Sequence, residues 1–261
     1  MAVDRSLWTA SFLEKRAPPW PCPECRSALF VVPGSFTVGE DVKSRKAHVL
    51  EEWDPEWIEE RFSSMLQCSR EACGQYVVLV GTARTQWDND PDPPGSMAYE
   101  RVFSPLLLLP MPALFAVPRA CPEAIAHELQ ESFNLIWLDT ASAGNRVRAA
   151  LELLMDHVGM KKTALSSSRK RKRLPLHDRI LLFRQRDQAM ADSLLAVKRI
   201  GNSGSHPAGL SVTDLFDAYD ILEHVLEELL SRRSRTLRRL VRSILRRRGP
   251  VAKPRGKRGG P

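Results

Sequence analysis

Hydrophobic and polar positions along this chain change rhythm near its middle. In "ALFVV" (28–32), "QYVVLVGTA" (75–83) and "AYERVFSPLLLL" (98–109) the apolar residues are contiguous and rich in β-branched and aromatic types. That pattern predicts strands. Between the first two, "EEWDPEWIEERFSSML" (51–66) spaces Trp53, Trp57, Phe62 and Leu66 at roughly helical intervals and reads as one helix. "DNDPDPPGS" reads as a turn or loop by its Pro, Gly and Asp content.

From about Pro118 the period becomes helical. "CPEAIAHELQESFNLIWLD" (121–139) begins with a proline at a first-turn position beside Glu123. "SAGNRVRAALELLMDHVG" (142–159) puts Val147, Ala150, Leu151, Leu154 and Val158 on one face, with Gly159 as its stop. "ALSSSRKRKRLPL" reads as a polar, basic loop. "LHDRILLFRQRDQAMADSLLAVKRI" then holds one or two helices that break at Gly201-Asn202. The final long helix opens on Ser211 and Asp214 in capping-box spacing and places Leu215, Ala218, Leu222, Leu226 and Leu229 inward.

These elements predict an α+β chain that is mainly α. A flexible lead-in (1–19) precedes a small zinc-ribbon-like β unit with an inserted helix (20–104). A helical bundle (105–231) and a basic amphipathic or disordered tail (232–261) follow. The chain is 43% hydrophobic over 261 residues, enough to bury a core in one large domain or two modest ones.

Charge sharpens the last boundary. The formal net charge is +8, yet Ser231 to the end carries thirteen Lys and Arg and no acid. Taking those thirteen away leaves residues 1–230 at −5. The basic character belongs to the tail, which implies a polyanionic partner. "TLRRLVRSILRRR" sets Leu237, Leu240, Val241, Ile244 and Leu245 on one stripe among arginines. Such a helix can lie on nucleic acid or an anionic membrane, or it can pack on a partner. The expected contact is with RNA or DNA through the tail, with a possible homodimer through the helices.

The N-terminal run "MAVDRSLWTASFLEKR" lacks the apolar core of a secretory leader, and "PLLLLPMPALFAVP" is interrupted and too short to span a bilayer. A soluble cytoplasmic protein without a transmembrane segment is expected. There, cysteines point to metal or free thiols before disulfides. Cys22 and Cys25 form a C-x2-C pair; Cys68 and Cys73 form a C-x4-C pair after 42 intervening residues. Four thiolates from two short knuckles suit a tetrahedral Zn²⁺ with no open position, hence a structural ion. The bland alternative is four unconnected thiols. Cys121, alone beside a proline, reads as a packed thiol.

The helical part carries a resemblance. The run from Cys121 to Gly159, the basic loop, "LPLHDRI" and "VKRIGNSGSHP" resemble the HEPN-clan domain of unknown function 4145 family, found in restriction-endonuclease subunits and stand-alone bacterial proteins. The matching features are Arg148 and Glu152 on the central helix and the Gly201, Asn202, His206 turn. The resemblance implies a nucleic-acid-binding or dimerising module in a defence or restriction setting. The alternative it implies is a metal-independent RNase, with catalytic candidates Arg199, Asn202 and His206. In that reaction an imidazole takes the ribose 2′-hydroxyl proton and a guanidinium holds the phosphate. Ile200 after the arginine and the glycines of "GNSGSH" favour a structural turn, in which Gly201 and Gly204 supply positive φ. Arg148 and Glu152 read as a buried pair holding the bundle, or as an auxiliary phosphate site. His127, His157 and His224 read as partly exposed helix residues and not as ligands. No Walker loop, dinucleotide fingerprint, kinase set or esterase elbow is present.

Overall fold

The computed structural model describes residues 3–9, 11–13, 16–88, 99–165, 170–202, 209–247 and 249. The chain runs α1 (Ser6–Thr9), β1 (Phe12–Leu13), β2 (Leu29–Val31), β3 (Thr37–Glu40), α2 (Val42–Ala47), β4 (Glu59–Cys68), β5 (Tyr76–Trp87) and β6 (Tyr99–Leu109). It continues with α3 (Glu123–Leu135), α4 (Thr140–His157), β7 (Thr163–Leu165), β8 (Arg171–Arg173), α5 (Leu176–Arg184), α6 (Gln188–Asn202), α7 (Val212–Leu230) and α8 (Arg232–Arg247).

The expected class, mainly α around a small zinc-ribbon-like unit, is corrected. Of the described residues, helices take 45% and strands 23%, and the N-terminal part is a curled antiparallel sheet. Among the described residues the sheet has six strands, in the order β1-β6-β5-β4-β2, with β3 also pairing with β4. The fold is a mixed α+β arrangement in which several helices follow this sheet.

The segment expected as one inserted helix is a single 3-10 turn, Pro55–Trp57, running into β4. Its inward residues alternate: Glu60, Phe62, Ser64, Leu66 and Cys68 are all buried. Period two therefore governs, and Phe62 and Leu66 satisfy it as well as they satisfy a helix. Ser64 sits inward because its hydroxyl meets that of Ser35 at 3.1 Å. A helix is inserted between the cysteine pairs, but it is the short α2, capped by Asp41, whose side chain accepts from the Lys43 N–H.

The strands expected at 75–83 and 98–109 are β5 and β6, paired from Trp87↔Tyr99 to Val78↔Leu109 with one irregularity at Val80/Gly81. Gly81 is required there. A Cβ would lie 2.2 Å from the Ser104 carbonyl oxygen and 2.5 Å from the Phe62 ring. Phe62 meets Phe103 edge-on at 5.0 Å, and Phe12 stacks on Phe103 at 5.7 Å, which fixes the sheet's inner face.

Within the segment expected as a flexible lead-in (1–19), the described residues form a strap between sheet and helices. Phe12 pairs with β6, while Trp8 is buried and its carbonyl accepts from the Trp137 indole at 2.8 Å. Arg5 bridges Asp217 (2.6 Å) and Asp220 (2.9 Å) on α7. One contiguous apolar core runs from Trp20 and Phe103 to Leu129, Leu154 and Leu222.

Among the helices, α4 and α7 bury the expected faces, with Val158 and Leu229 half-buried at their ends. The capping box at Ser211 and Asp214 is present, and Gly159 follows α4 with φ +74°. Tyr219, fully buried, meets the Ser132 hydroxyl at 2.7 Å, and Ser132 donates to the Ala143 carbonyl at 2.9 Å. The helix expected to break at Gly201-Asn202 continues through both residues. Gly201 carries no positive φ among the described residues; it lets α6 cross α4 closely. A Cβ there would stand 3.0 Å from the Gly144 carbonyl oxygen. The "DNDPDPPGS" loop lies, after Asp88, outside the described residues, as does Gly204.

Candidate metal centre and basic surfaces

The two cysteine knuckles are neighbours because their strands are. β2 pairs with β4 in the register Leu29↔Cys68, so the chain before β2 and the loop after β4 meet at one end of the sheet. The first knuckle is a tight turn in which the Cys22 N–H donates to Ser27 (2.6 Å) and the Arg26 N–H to Cys22 (3.0 Å). Arg26 adopts φ +67° to close it. In the second, the Cys73 N–H donates to the Arg70 carbonyl at 2.9 Å, and Gly74, at φ +62°, returns the chain to β5. The Ser69 N–H donates to Ala28 at 2.9 Å and ties the two knuckles together.

All four thiol sulfurs lie within 4.8 Å of one another. Cys22 Sγ is 3.8 Å from Cys73 Sγ, and Cys25 Sγ is 3.4 Å from Cys68 Sγ. These separations exceed a disulfide bond of about 2.05 Å and surround a common point. The four cysteines could hold a metal ion. The sulfurs are also electrostatically inequivalent. Hydrogen bonds from the Ser27 side chain and backbone pull the Cys25 thiol down to about 6, whereas burial pushes the Cys68 thiol up to about 12. Cys22 and Cys68 are buried, and the Arg70 N–H points at Cys68 Sγ from 3.4 Å. Cys121 stands apart, half-buried against the core, its thiol pushed up to about 11 by burial.

The helical candidates gather only in part. Arg199 is exposed in the last turn of α6, and Asn202 ends that helix. The Asn202 Oδ1 is buried without a hydrogen-bond partner among the described residues. His206 lies outside the described residues. Arg148 and Glu152 are one turn apart on α4 at 3.8 Å, but their side chains are 48% and 31% exposed. The buried pair is therefore corrected to a surface pair, joined by Arg173 at 3.1 Å from Glu152. His127, His157 and His224 are exposed helix residues, as expected.

Sequence reasoning missed what lies beside that pair. The basic loop is a two-stranded antiparallel ribbon, β7 with β8, in the register Thr163↔Arg173 to Leu165↔Arg171. Beneath it is a cleft of about 880 Å³ bordered by Arg148, Glu152, Asp156, Lys162, Arg173 and Arg179. The only advance signals were the cationic run at 169–173 and the arginine in "LPLHDRI".

The tail begins as expected with a helix. Along α8 the described side chains are almost all exposed, including Leu237, Leu240, Val241, Ile244, Leu245, Arg239, Arg242 and Arg246. No described helix is long and apolar enough to cross a membrane.

Residues 10–108 match the model of a domain of unknown function, DUF8608, and residues 130–247 that of another, DUF4145. No curated protein matches the chain, and no solved structure does so.

Proposed function

We propose that this chain is a nucleic-acid-binding module whose C-terminal helix supplies phosphate contacts and whose four cysteines hold a structural zinc ion. The observation that carries the binding reading is α8. It has eight arginines and no acid in sixteen residues, and it projects beyond the core instead of joining it. Arginines in that density contribute little to folding but match a phosphodiester backbone, where each contact releases condensed counterions. The acidic residues of α7 would repel the same backbone, so binding is confined to the basic surfaces.

Zinc is supported by donor chemistry and size. A tetrahedron with Zn–S bonds of about 2.3 Å has edges of about 3.8 Å. The two separations of 3.8 and 3.4 Å are close to that edge. Four thiolates leave no position for substrate, so the ion's role is to hold the knuckles. Reduced thiols suit a cytoplasmic setting. Dimerisation through the helices would double the basic surface and fits the same reading.

One observation favours the second reading, a metal-independent RNase. The Asn202 Oδ1, without a hydrogen-bond partner among the described residues, lies within one turn of Arg199 and precedes His206 by four positions in sequence. Against it, Gly201 has a packing role at the α4–α6 crossing, which accounts for the small residue without catalysis.

The test compares the full chain with its Arg239→Gln, Arg242→Gln, Arg246→Gln variant on single-stranded and duplex oligonucleotides over a salt series. Three lost contacts should lower the slope of log K against log salt by roughly 2 to 3. An unchanged slope overturns the reading. So does binding of both proteins to vesicles containing anionic lipid with none to nucleic acid, because a bilayer would engage the apolar stripe as well as the arginines. RNA recovered intact from metal-free reactions removes the RNase alternative.

A further inference from the structure

The ribbon β7–β8 contributes almost nothing to the core. All six of its strand residues are exposed, and the two strands pair only with each other. A lone two-stranded ribbon is marginal in water, so its footing matters. Lys162 holds Asp156 at 2.7 Å, Arg173 holds Glu152 at 3.1 Å, and the Leu174 N–H donates to the Lys162 carbonyl at 2.9 Å. Arg179, nine-tenths buried, pins Asp156 from below and donates to the Met160 carbonyl at 3.3 Å. The base of the ribbon is thus clamped to α4 by ion pairs, while Leu165, the large apolar side chain of β7, stays exposed.

What the clamp presents is charge. Glu152 and Asp156 are already engaged by Arg148, Arg173, Lys162 and Arg179, so they do not cancel the outer part of the ribbon. Arg171 and Lys172 are exposed and make no ion pair among the described residues. They point to opposite faces, since side chains alternate along a strand. Arg171 therefore shares a face with Arg173, and Lys172 takes the other. Both faces carry a cation, and the ribbon has no aromatic residue to stack on an unpaired base. The Arg179 Nε is buried without a hydrogen-bond partner among the described residues, and Arg179 borders the cleft.

We propose that the β7–β8 ribbon is a second nucleic-acid contact, seated in the major groove of duplex DNA and neutralising phosphates on both walls with Arg171 and Lys172. This rests on the nucleic-acid reading above and adds to it the form of nucleic acid bound. Strands in a ribbon lie about 4.8 Å apart, and a B-form major groove about 12 Å wide admits such a ribbon with its side chains. The major groove of duplex RNA is deep and too narrow for that entry. Single strands offer no groove, and the ribbon offers no stacking platform in return.

The experiment uses the full chain and its Arg171→Gln, Lys172→Gln variant with one sequence prepared as duplex DNA, duplex RNA and single-stranded DNA. Salt titrations are read by fluorescence anisotropy, and circular dichroism checks the fold of the variant. The parent should prefer duplex DNA to duplex RNA by at least about tenfold. The variant should lose about two from its salt slope on duplex DNA and keep its slope on the other two. If the parent binds duplex DNA and the variant shows the parent's slope, the ribbon assignment falls while the role of α8 stands. Equal affinity for duplex DNA and duplex RNA overturns groove seating. A parent that binds none of the three overturns both readings together. If both substitutions unfold the ribbon, Arg171→Lys, Lys172→Arg keeps the charge and must keep the slope; loss of slope there sinks the proposal.

Discussion

The cysteine end of the sheet and the crossing of α4 with α6 are both places where chain segments approach closely, but they are held by opposite means. At the crossing, Gly144 and Gly201 bring two backbones together, and around them Val147, Leu151, Leu194 and Val197 are fully buried. Dispersion and apolar burial act along the whole contact. At the cysteine end the segments 21–28 and 69–75 are short turns with little apolar surface besides the thiols. The helical layer can rely on area, whereas the knuckles need a ligand. A region of small apolar content can be rigid only if something other than burial fixes it.

The strongest test of that contrast is metal removal. Purified chain should carry one zinc by atomic absorption, and a structural site of this kind contributes roughly 10–16 kcal/mol of apparent binding free energy. Chelation or Cys25→Ser should release Trp20, which is now fully buried next to Cys22, and red-shift its fluorescence. The helical signal at 222 nm should largely persist, because the helices pack on one another. Metal-free protein with native fluorescence would refute the ligand requirement. Parallel loss of both signals would show that the shared core makes sheet and helices one cooperative unit.

How much of this was legible follows the same division. The cysteine quartet was readable because spacing alone reports knuckles, and β5 and β6 were readable because β-branched runs are hard to mistake. β4 was not. Ser64 and Cys68 occupy inward positions and Met65 an outward-facing one, so the alternation hides behind residue type. The N-terminal strap was illegible for another reason: Trp8 finds Trp137 129 residues away, and no local pattern encodes that. Gly201 was legible as special but not as helical, since a glycine announces positive φ and close packing with the same letter. α8 was plain from its arginines and leucines.

Glycine substitutions sharpen the contrast at smaller amplitude. At Gly81 in β5 a methyl group would strike a carbonyl oxygen and the Phe62 ring, neither of which can retreat without moving the sheet. Gly81→Ala should cost about 2–3 kcal/mol in urea denaturation. At Gly201 the 3.0 Å contact is tight, but alanine also gains about 1 kcal/mol of helix propensity. Gly201→Ala should change stability by no more than about 1 kcal/mol. Equal costs at the two sites would mean that the crossing is as rigid as the sheet.

The smallest expected effect is at the start of α7. The Ser211 hydroxyl accepts from the Asp214 N–H at 3.1 Å, and the Asp214 carboxylate accepts from the Ser211 N–H at 3.0 Å and from its hydroxyl at 2.6 Å. Those Ser211 donors hold the Asp214 carboxyl below the usual carboxylate range. A depressed carboxylate contributes stability that is present above its unfolded value near 3.8 and is lost as pH falls through its lower folded value. Ser211→Ala removes the side-chain partners of both groups and should cost about 1 kcal/mol at neutral pH. As pH falls through that lower folded value the parent's own capping carboxylate becomes protonated, so the gap between parent and variant should narrow. The measurement is a series of urea midpoints from about pH 7 down to about pH 2. A gap that stays constant across that range would show that the serine acts only through the Asp214 N–H, with no part played by the carboxylate.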